Sequence, residues 1–266
     1  MGMGEKAGTA PLLVLQKIRQ ILECFTIERP ELNLQEITRS TDLPASTCQR
    51  LVHNLLREGF LDRDGDTYRI GLHFVRWAAP GTFGLDMVRL TRPPLQRLRD
   101  RTGETACLFV RDGAHRTVVS LAEAHHVVMR LFAVGMVMSL HAGSAGKVFM
   151  AFDPTARRDA VGHGLTRHTP RTVVDIDLLD DQLEEIRRNG FSASFEERDI
   201  GAASISAPVF GSTGEVVAAI GIGAPTQRLT PADVSRLAPC VVEAAEEASR
   251  CLGYRPGIRG GGATGS

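Results

Sequence analysis

The chain has 266 residues, too many for one small core and enough for two domains. Its 43% apolar and 23% charged content is that of a soluble globular protein, and no apolar run is long enough to span a membrane. The 31 basic and 31 acidic residues cancel, which excludes nucleic-acid binding through bulk charge and leaves recognition by a few well-placed cations.

Residues 1–10 are rich in Gly and Ala and are expected to be disordered. Pro11–Ile27 reads as a helix, with Leu15, Ile18, Leu22 and Phe25 on one apolar stripe. Asn33 starts a second helix that ends at Ser40, and Thr41-Asp42-Leu43 breaks it. Pro44 suits the opening of a third helix, in which Cys48, Leu51, Val52 and Leu55 recur at core spacing. Its opposite face carries Ser46, Gln49, Arg50, His53 and Arg57, flanked by Thr47 and Asn54. Hydroxyls, an amide and a guanidinium at the N-terminal end of such a helix suit the DNA major groove. Gly59 ends the helix, and Asp64-Gly65-Asp66 between two strand-like runs signals a hairpin, the wing of a winged helix-turn-helix spanning 11–77. The plainer alternative is a small helical subdomain with an incidental hairpin, which explains the stripes but not the order of elements.

Gly71–Gly84 is a transition in which Leu72, Val75 and Trp77 are expected to pack back onto this unit. Residues 78–102 form a linker whose amphipathic helix, Leu85–Thr102, should be kinked or interrupted by Pro93-Pro94. A larger domain, 103–252, follows. Its strand-like segments are Thr105–Arg111, Thr117–Glu123, Val127–Val134, Ser204–Phe210 and Glu215–Gly223; its helices are His141–Phe152, Leu178–Asn189 and Pro231–Cys251. Strands at both ends around two central helices predict an α+β fold with an antiparallel sheet. The Gly-rich tail, 253–266, is expected to be disordered.

Five cysteines without CxxC spacing read as thiols of a reducing compartment. No signal-peptide pattern opens the chain, so a cytoplasmic protein is expected. His125, His126, His141, His163 and His168 form no metal-ligand spacing, and no GxSxG, Walker A or dinucleotide motif is present. No catalytic residue, metal or cofactor is expected. Gly143-Ser144-Ala145-Gly146 opens a helix and reads in two ways: its N–H groups could receive a carboxylate, or its small residues could serve close packing.

Three segments of the first domain, Leu43-Pro44-Ala45-Ser46-Thr47-Cys48-Gln49-Arg50-Leu51, Arg57-Glu58-Gly59-Phe60-Leu61 and Tyr68-Arg69-Ile70-Gly71, carry a family resemblance. In the second domain it continues through Arg101-Thr102-Gly103-Glu104-Thr105, Leu140–Lys147, Ile205-Ser206-Ala207-Pro208-Val209, Val217-Ala218-Ala219-Ile220, Ala224-Pro225 and Arg228-Leu229-Thr230. In their order and spacing the chain resembles transcriptional regulators of the isocitrate-lyase-regulator (IclR) type. The resemblance implies a GAF-like effector-binding domain for a small organic acid or related metabolite, a homodimer or homotetramer, and a repressor or activator acting on operator DNA. It implies a pocket lined by Val128, Ser144, Ala145, Ser194, Ser204, Gly221 and Gly223, beside Gly143. For DNA, Ser46, Thr47, Gln49 and Arg50 are the expected base readers, with His53 beside them and Arg63 and Arg69 in the wing. Relatives that take two- or three-carbon keto acids carry an acidic residue at Ser194, Cys at Ser204, and Ser at Gly221 and Gly223. The smaller side chains here imply a larger pocket and a larger, aromatic or longer-chain acid. The alternative function is a metabolite-binding or catalytic domain with a vestigial DNA-binding module.

Overall fold

The structure is a computed structural model and describes residues 13–26, 29–74, 76–77, 86–124 and 132–255. The chain divides into two compact units at Gly84/Leu85.

In the first unit, α1 (Leu13–Leu22) is followed by β1 (Glu31–Asn33), α2 (Leu34–Ser40), α3 (Ala45–Arg57), β2 (Leu61–Asp64) and β3 (Thr67–Ile70). The expected helix to Ile27 is shorter, because Cys24 N–H and Phe25 N–H bond three residues back, to Ile21 and Leu22, and close the chain into a turn. Ile21 is fully buried and Ile18, Leu22 and Phe25 pack with it, but Leu15 is 60% exposed, as are Leu13 and Val14 in large part. The stripe therefore runs one turn further along the helix than the core covers. Asn33 and Glu36 form a reciprocal capping box, Glu36 N–H to Asn33 Oδ1 at 3.0 Å and Asn33 N–H to Glu36 Oε2 at 2.8 Å. Cys48, Leu51, Val52 and Leu55 of α3 fill the core as their spacing predicts. Gly59, at φ +74°, stops α3: its N–H goes to Leu56 O at 3.1 Å and that of Phe60 to Leu55 O at 2.8 Å, a Schellman motif. The chain then enters the hairpin β2–β3. The sequence reading missed β1, which pairs antiparallel with β3 and makes the wing three-stranded. The Trp77 ring packs against Phe60 at 4.8 Å, tilted by 58°, whereas Leu72 is 66% exposed; Val75 lies outside the described residues.

The second unit is a six-stranded, wholly antiparallel sheet with helices on both faces. Its strands are β4 (Thr105–Asp112), β5 (His115–Ala122), β6 (Val137–Ser139), β7 (Ser192–Phe195), β8 (Ala202–Phe210) and β9 (Val216–Pro225), in the order β6-β5-β4-β9-β8-β7. Along each strand side chains alternate between faces. Ala106, Leu108, Ile205, Ile220 and Ile222 meet Leu95 and Leu98 of α4 (Asp86–Thr102) and Leu237 and Val241 of α8 (Val234–Cys251). Cys107, Phe109, Val118 and Ala219 meet α5 (Ser144–Phe152), α6 (Pro154–His163) and α7 (Ile176–Asn189).

Four expectations change here. The expected strand 127–134 lies mostly outside the described residues, 132–134 are not strand, and β6 takes the edge beside β5. The helix expected from His141 starts at Ser144, and β7 and α6 were not anticipated. The linker helix α4 runs unbroken through Pro93 and Pro94. Its apolar face is buried on the second unit, and Arg97–Glu247 and Arg101–Glu243 (2.5 Å) tie it to α8, which outweighs two missing ladder donors. At the C-terminal end Tyr254 N–H bonds Ser249 O at 3.0 Å and its ring sits 5.2 Å from Phe210, so order extends past Gly253; 256–266 and 1–12 lie outside the described residues.

Candidate functional site

Two constellations stand out, one in each unit. In the first, α3 buries one face and leaves Ser46, Gln49, Arg50 and His53 exposed, with Thr47 half-buried beside them. Among the described residues the side chain of Arg50 has no hydrogen-bond or ion-pair partner, so its fork of donors is available. Arg57, by contrast, pairs with Glu58 at 3.1 Å. In the wing, Arg63 donates through Nε to Gly65 O at 2.8 Å and lies 5.7 Å over the Tyr68 ring. Arg69 is exposed and sits opposite Asp62 and Glu31 in the ladder without an ion pair to either, so of the two wing cations only Arg63 is engaged by its own hairpin.

In the second unit, sheet register brings distant residues together. Ser194, Ser204 and Gly223 occupy one rung, and Ser206 and Gly221 lie on the next. Above them the turn into α5 presents Gly143, Ser144 and Ala145. Ser144 Oγ reaches both Ser204 Oγ and Ser206 Oγ at 2.8 Å. A cavity of about 40 Å³ lies between these elements, lined also by Phe109, Arg116, Phe132, Glu197 and Arg198. Of the expected residues, Gly143, Ser144, Ala145, Ser194 and Ser204 line it, while Val128 lies outside the described residues. Gly221 and Gly223 face the same side without enlarging it. A Cβ at Gly221 would stand 2.2 Å from Ser206 Oγ, and one at Gly223 would stand 2.1 Å from the Phe132 ring. The space expected from two missing side chains is thus filled by a hydroxyl and a phenyl ring.

The loop also differs from its simplest reading. Gly143 N–H donates to Glu197 Oε2 at 3.1 Å, so the protein's own carboxylate occupies it. Glu197 in turn pairs with Lys147, which is 2% exposed and also donates to Gln182 Oε1 at 2.7 Å. Burial pushes the Lys147 ammonium down, and Glu197 opposes that shift. Glu196, the one described non-glycine residue at positive φ (+58°), turns the chain after β7 so that Glu197 points inward. Gly146 serves close packing, since a Cβ there would stand 1.9 Å from Leu140 O.

Arg116 is the largest omission of the sequence reading. It is 3% exposed; its Nη atoms donate to Ser139 O and to Ala142 O (2.8 Å), and its Nε has no partner. Burial pushes its guanidinium down to about 9, helped by the neighbouring charge of Arg198, so it is still a cation at neutral pH. Gly143 makes room for it: at φ +101° it occupies backbone space that side chains avoid, and a Cβ there would lie 2.8 Å from Arg116 Nη2. The sequence signal was alternation: starting the strand at His115 rather than Thr117 puts Arg116 on the buried side with Val118.

His141 and His168 serve structure. His141 is buried and its Nε2 lies 2.8 Å from Thr166 O, its ring stacked on His168; burial pushes its imidazole below the ordinary range. Among the described residues no three His, Cys, Asp or Glu side chains converge as metal ligands, and no helix is long and apolar enough to cross a membrane.

Comparison with known proteins agrees with this architecture. A family model described as the IclR helix-turn-helix domain matches residues 14–65, and one described as bacterial transcriptional regulator IclR C-terminal matches 82–250. The chain is 33% identical over 239 residues to the HTH-type transcriptional regulator BhcR of Paracoccus denitrificans, covering 88% of this chain and 85% of that protein. It is 28% identical over 263 residues to the HTH-type transcriptional repressor AllR of Salmonella paratyphi A, covering 97% and 96%. An IclR homolog from Microbacterium hydrocarbonoxydans, solved with 4-hydroxybenzoate, superposes with a TM-score of 0.77 at 27% identity, covering 90% of this chain and 98% of that one. The protein is a ligand-responsive DNA-binding regulator and not an enzyme. It belongs to the IclR family of bacterial transcriptional regulators.

Proposed function

We propose that the N-terminal half of α3 reads the operator, with Arg50 and Gln49 on base edges and Ser46 and Thr47 on phosphates or thymine methyl groups. Bidentate donors match guanine, and a side-chain amide matches adenine. His53, Arg63 and Arg69 add backbone contacts. The observation that carries this reading is the exposed polar face of α3 opposite its buried Cys48, Leu51, Val52 and Leu55. In a gel-shift titration, Arg50→Ala should weaken specific operator binding by about 1–3 kcal/mol while leaving the fold intact. Unchanged specific affinity would remove Arg50 from the base readers.

The cavity of the second unit is the effector site, built from Gly143, Ser144, Ala145, Ser194 and Ser204, with Gly221 and Gly223 giving room to Ser206 and Phe132. Its effector is a small organic acid. An aromatic acid, like the 4-hydroxybenzoate of the homolog, enters once the Phe132 ring leaves the space over Gly223. The working form is a homodimer or homotetramer, which gives the exposed Leu13, Val14 and Leu15 of α1 a partner surface and presents two copies of α3 to two half-sites. Effector binding shifts the balance between arrangements that fit the operator and arrangements that do not.

A further inference from the structure

A buried cation needs a counter-charge, and among the described residues Arg116 has no direct ion-pair partner; Glu197 and Asp199 favour its charge only from beyond ion-pair distance. Its Nη atoms meet two carbonyls and, at 3.9 Å, Met138 Sδ, all neutral groups that solvate a charge without cancelling it. Both acidic side chains lining the same cavity are already answered. Glu197 is held by Lys147 and the Gly143 N–H, and Asp199 by Arg198 Nε at 2.6 Å. Among the described residues these five charges leave one positive charge in excess, and Arg116 Nε, which has no hydrogen-bond partner there, belongs to the same guanidinium. A dry cation of this kind is unfavourable unless something charged completes it.

The surroundings specify the rest of the guest. Phe109 and Phe132 meet edge to face at 5.8 Å and form an apolar wall, with Arg116 5.9 Å over Phe109 and Arg198 5.8 Å over Phe132. Across the cavity, the Ser144, Ser204 and Ser206 hydroxyls form a cluster that can donate to or accept from an oxygen function.

We propose that Arg116 selects the charge of the effector, taking the single carboxylate of an organic monocarboxylate whose carbon skeleton lies along Phe109 and Phe132. This rests on the cavity being the effector site. A neutral guest leaves Arg116 unanswered, and a dicarboxylate brings a second charge that meets no spare cation. A structural tether between β5 and the 139–142 turn would use the same Nη bonds, but it does not require Nε to be left without a partner.

The test uses the full chain, thermal shift and calorimetry, and matched probes: acetate and acetamide, lactate and lactamide, benzoate and benzamide, 4-hydroxybenzoate and 4-hydroxybenzamide, with succinate as the dicarboxylate. At least one monocarboxylate should stabilise the wild type well above its amide, and succinate should not. In Arg116→Met that advantage should fall by about 30-fold or more, the effect of removing one partner of a buried charge pair. Arg116→Lys, which keeps the charge but loses the fork, should retain part of it. If Arg116→Met does not fold, Arg116→Lys and the wild-type preferences decide. Equal binding of acids and amides, no stabilisation by any acid, or an acid preference that survives in Arg116→Met overturns the proposal. Ser204→Phe, which fills the cavity, separates the two readings. Acid binding that persists in Ser204→Phe places the effector elsewhere. Acid binding lost in Ser204→Phe but intact in Arg116→Met leaves the cavity as the site and removes the role of Arg116.

Discussion

Lys147 and Glu197 show how a single pair can organise a site. Both side chains are nearly fully buried, and Glu197 also takes the Gly143 N–H, so one carboxylate joins α5, the turn before it and the end of β7. Removing one member strands the other in a medium that solvates it poorly. Lys147→Met should therefore cost about 3–5 kcal/mol in urea denaturation, and Lys147→Met with Glu197→Gln should recover part of that loss. A cost below about 1 kcal/mol for the single variant would mean that water reaches Glu197. The sequence showed Lys147 beside the small residues 143–146, but its partner lies fifty positions away, and nothing local pairs them. Arg116 was hidden for a related reason: an exposed arginine and a buried one look alike until the alternation of β5 is anchored to a face.

At the scale of elements, local chemistry was highly legible. Asn33, Pro44, Gly59 and Gly65 each punctuate the first unit where their own backbone preferences require, and Gly190 and Thr230 do the same in the second. Asn33→Ala removes one half of a capping box and should lower the stability of the first unit by about 0.5–2 kcal/mol, read from its unfolding transition. No change would mean that packing alone holds α2. Elements whose existence depends on partners were not legible. β1 and β6 are three residues each and are defined by pairing with β3 and β5, not by their composition. α4 continues through Pro93-Pro94 because α8 and the sheet bury its other face, a tertiary override of propensity.

For the whole molecule, balanced charge shapes how DNA is bound. With 31 basic and 31 acidic residues, and Arg63 of the wing engaged by its own hairpin, few cations remain to displace counterions. The logarithm of operator affinity against the logarithm of salt should fall with a slope of magnitude about 5 or less, well below the slope near −10 of a strongly electrostatic binder. A slope of about −10 in a salt titration would show that phosphate contacts dominate. The amino-acid sequence by itself determined the two-unit plan, the helix-turn-helix with its hairpin and the antiparallel sheet, because periodicity, caps and turn residues act over a few positions. The tertiary structure alone decided the shape and charge of the cavity proposed as the effector site. Strand register sets Ser194 and Ser204 on one rung, a distant Phe132 fills the space that Gly223 leaves, and packing removes from water an Arg116 that pairs directly with no carboxylate among the described residues.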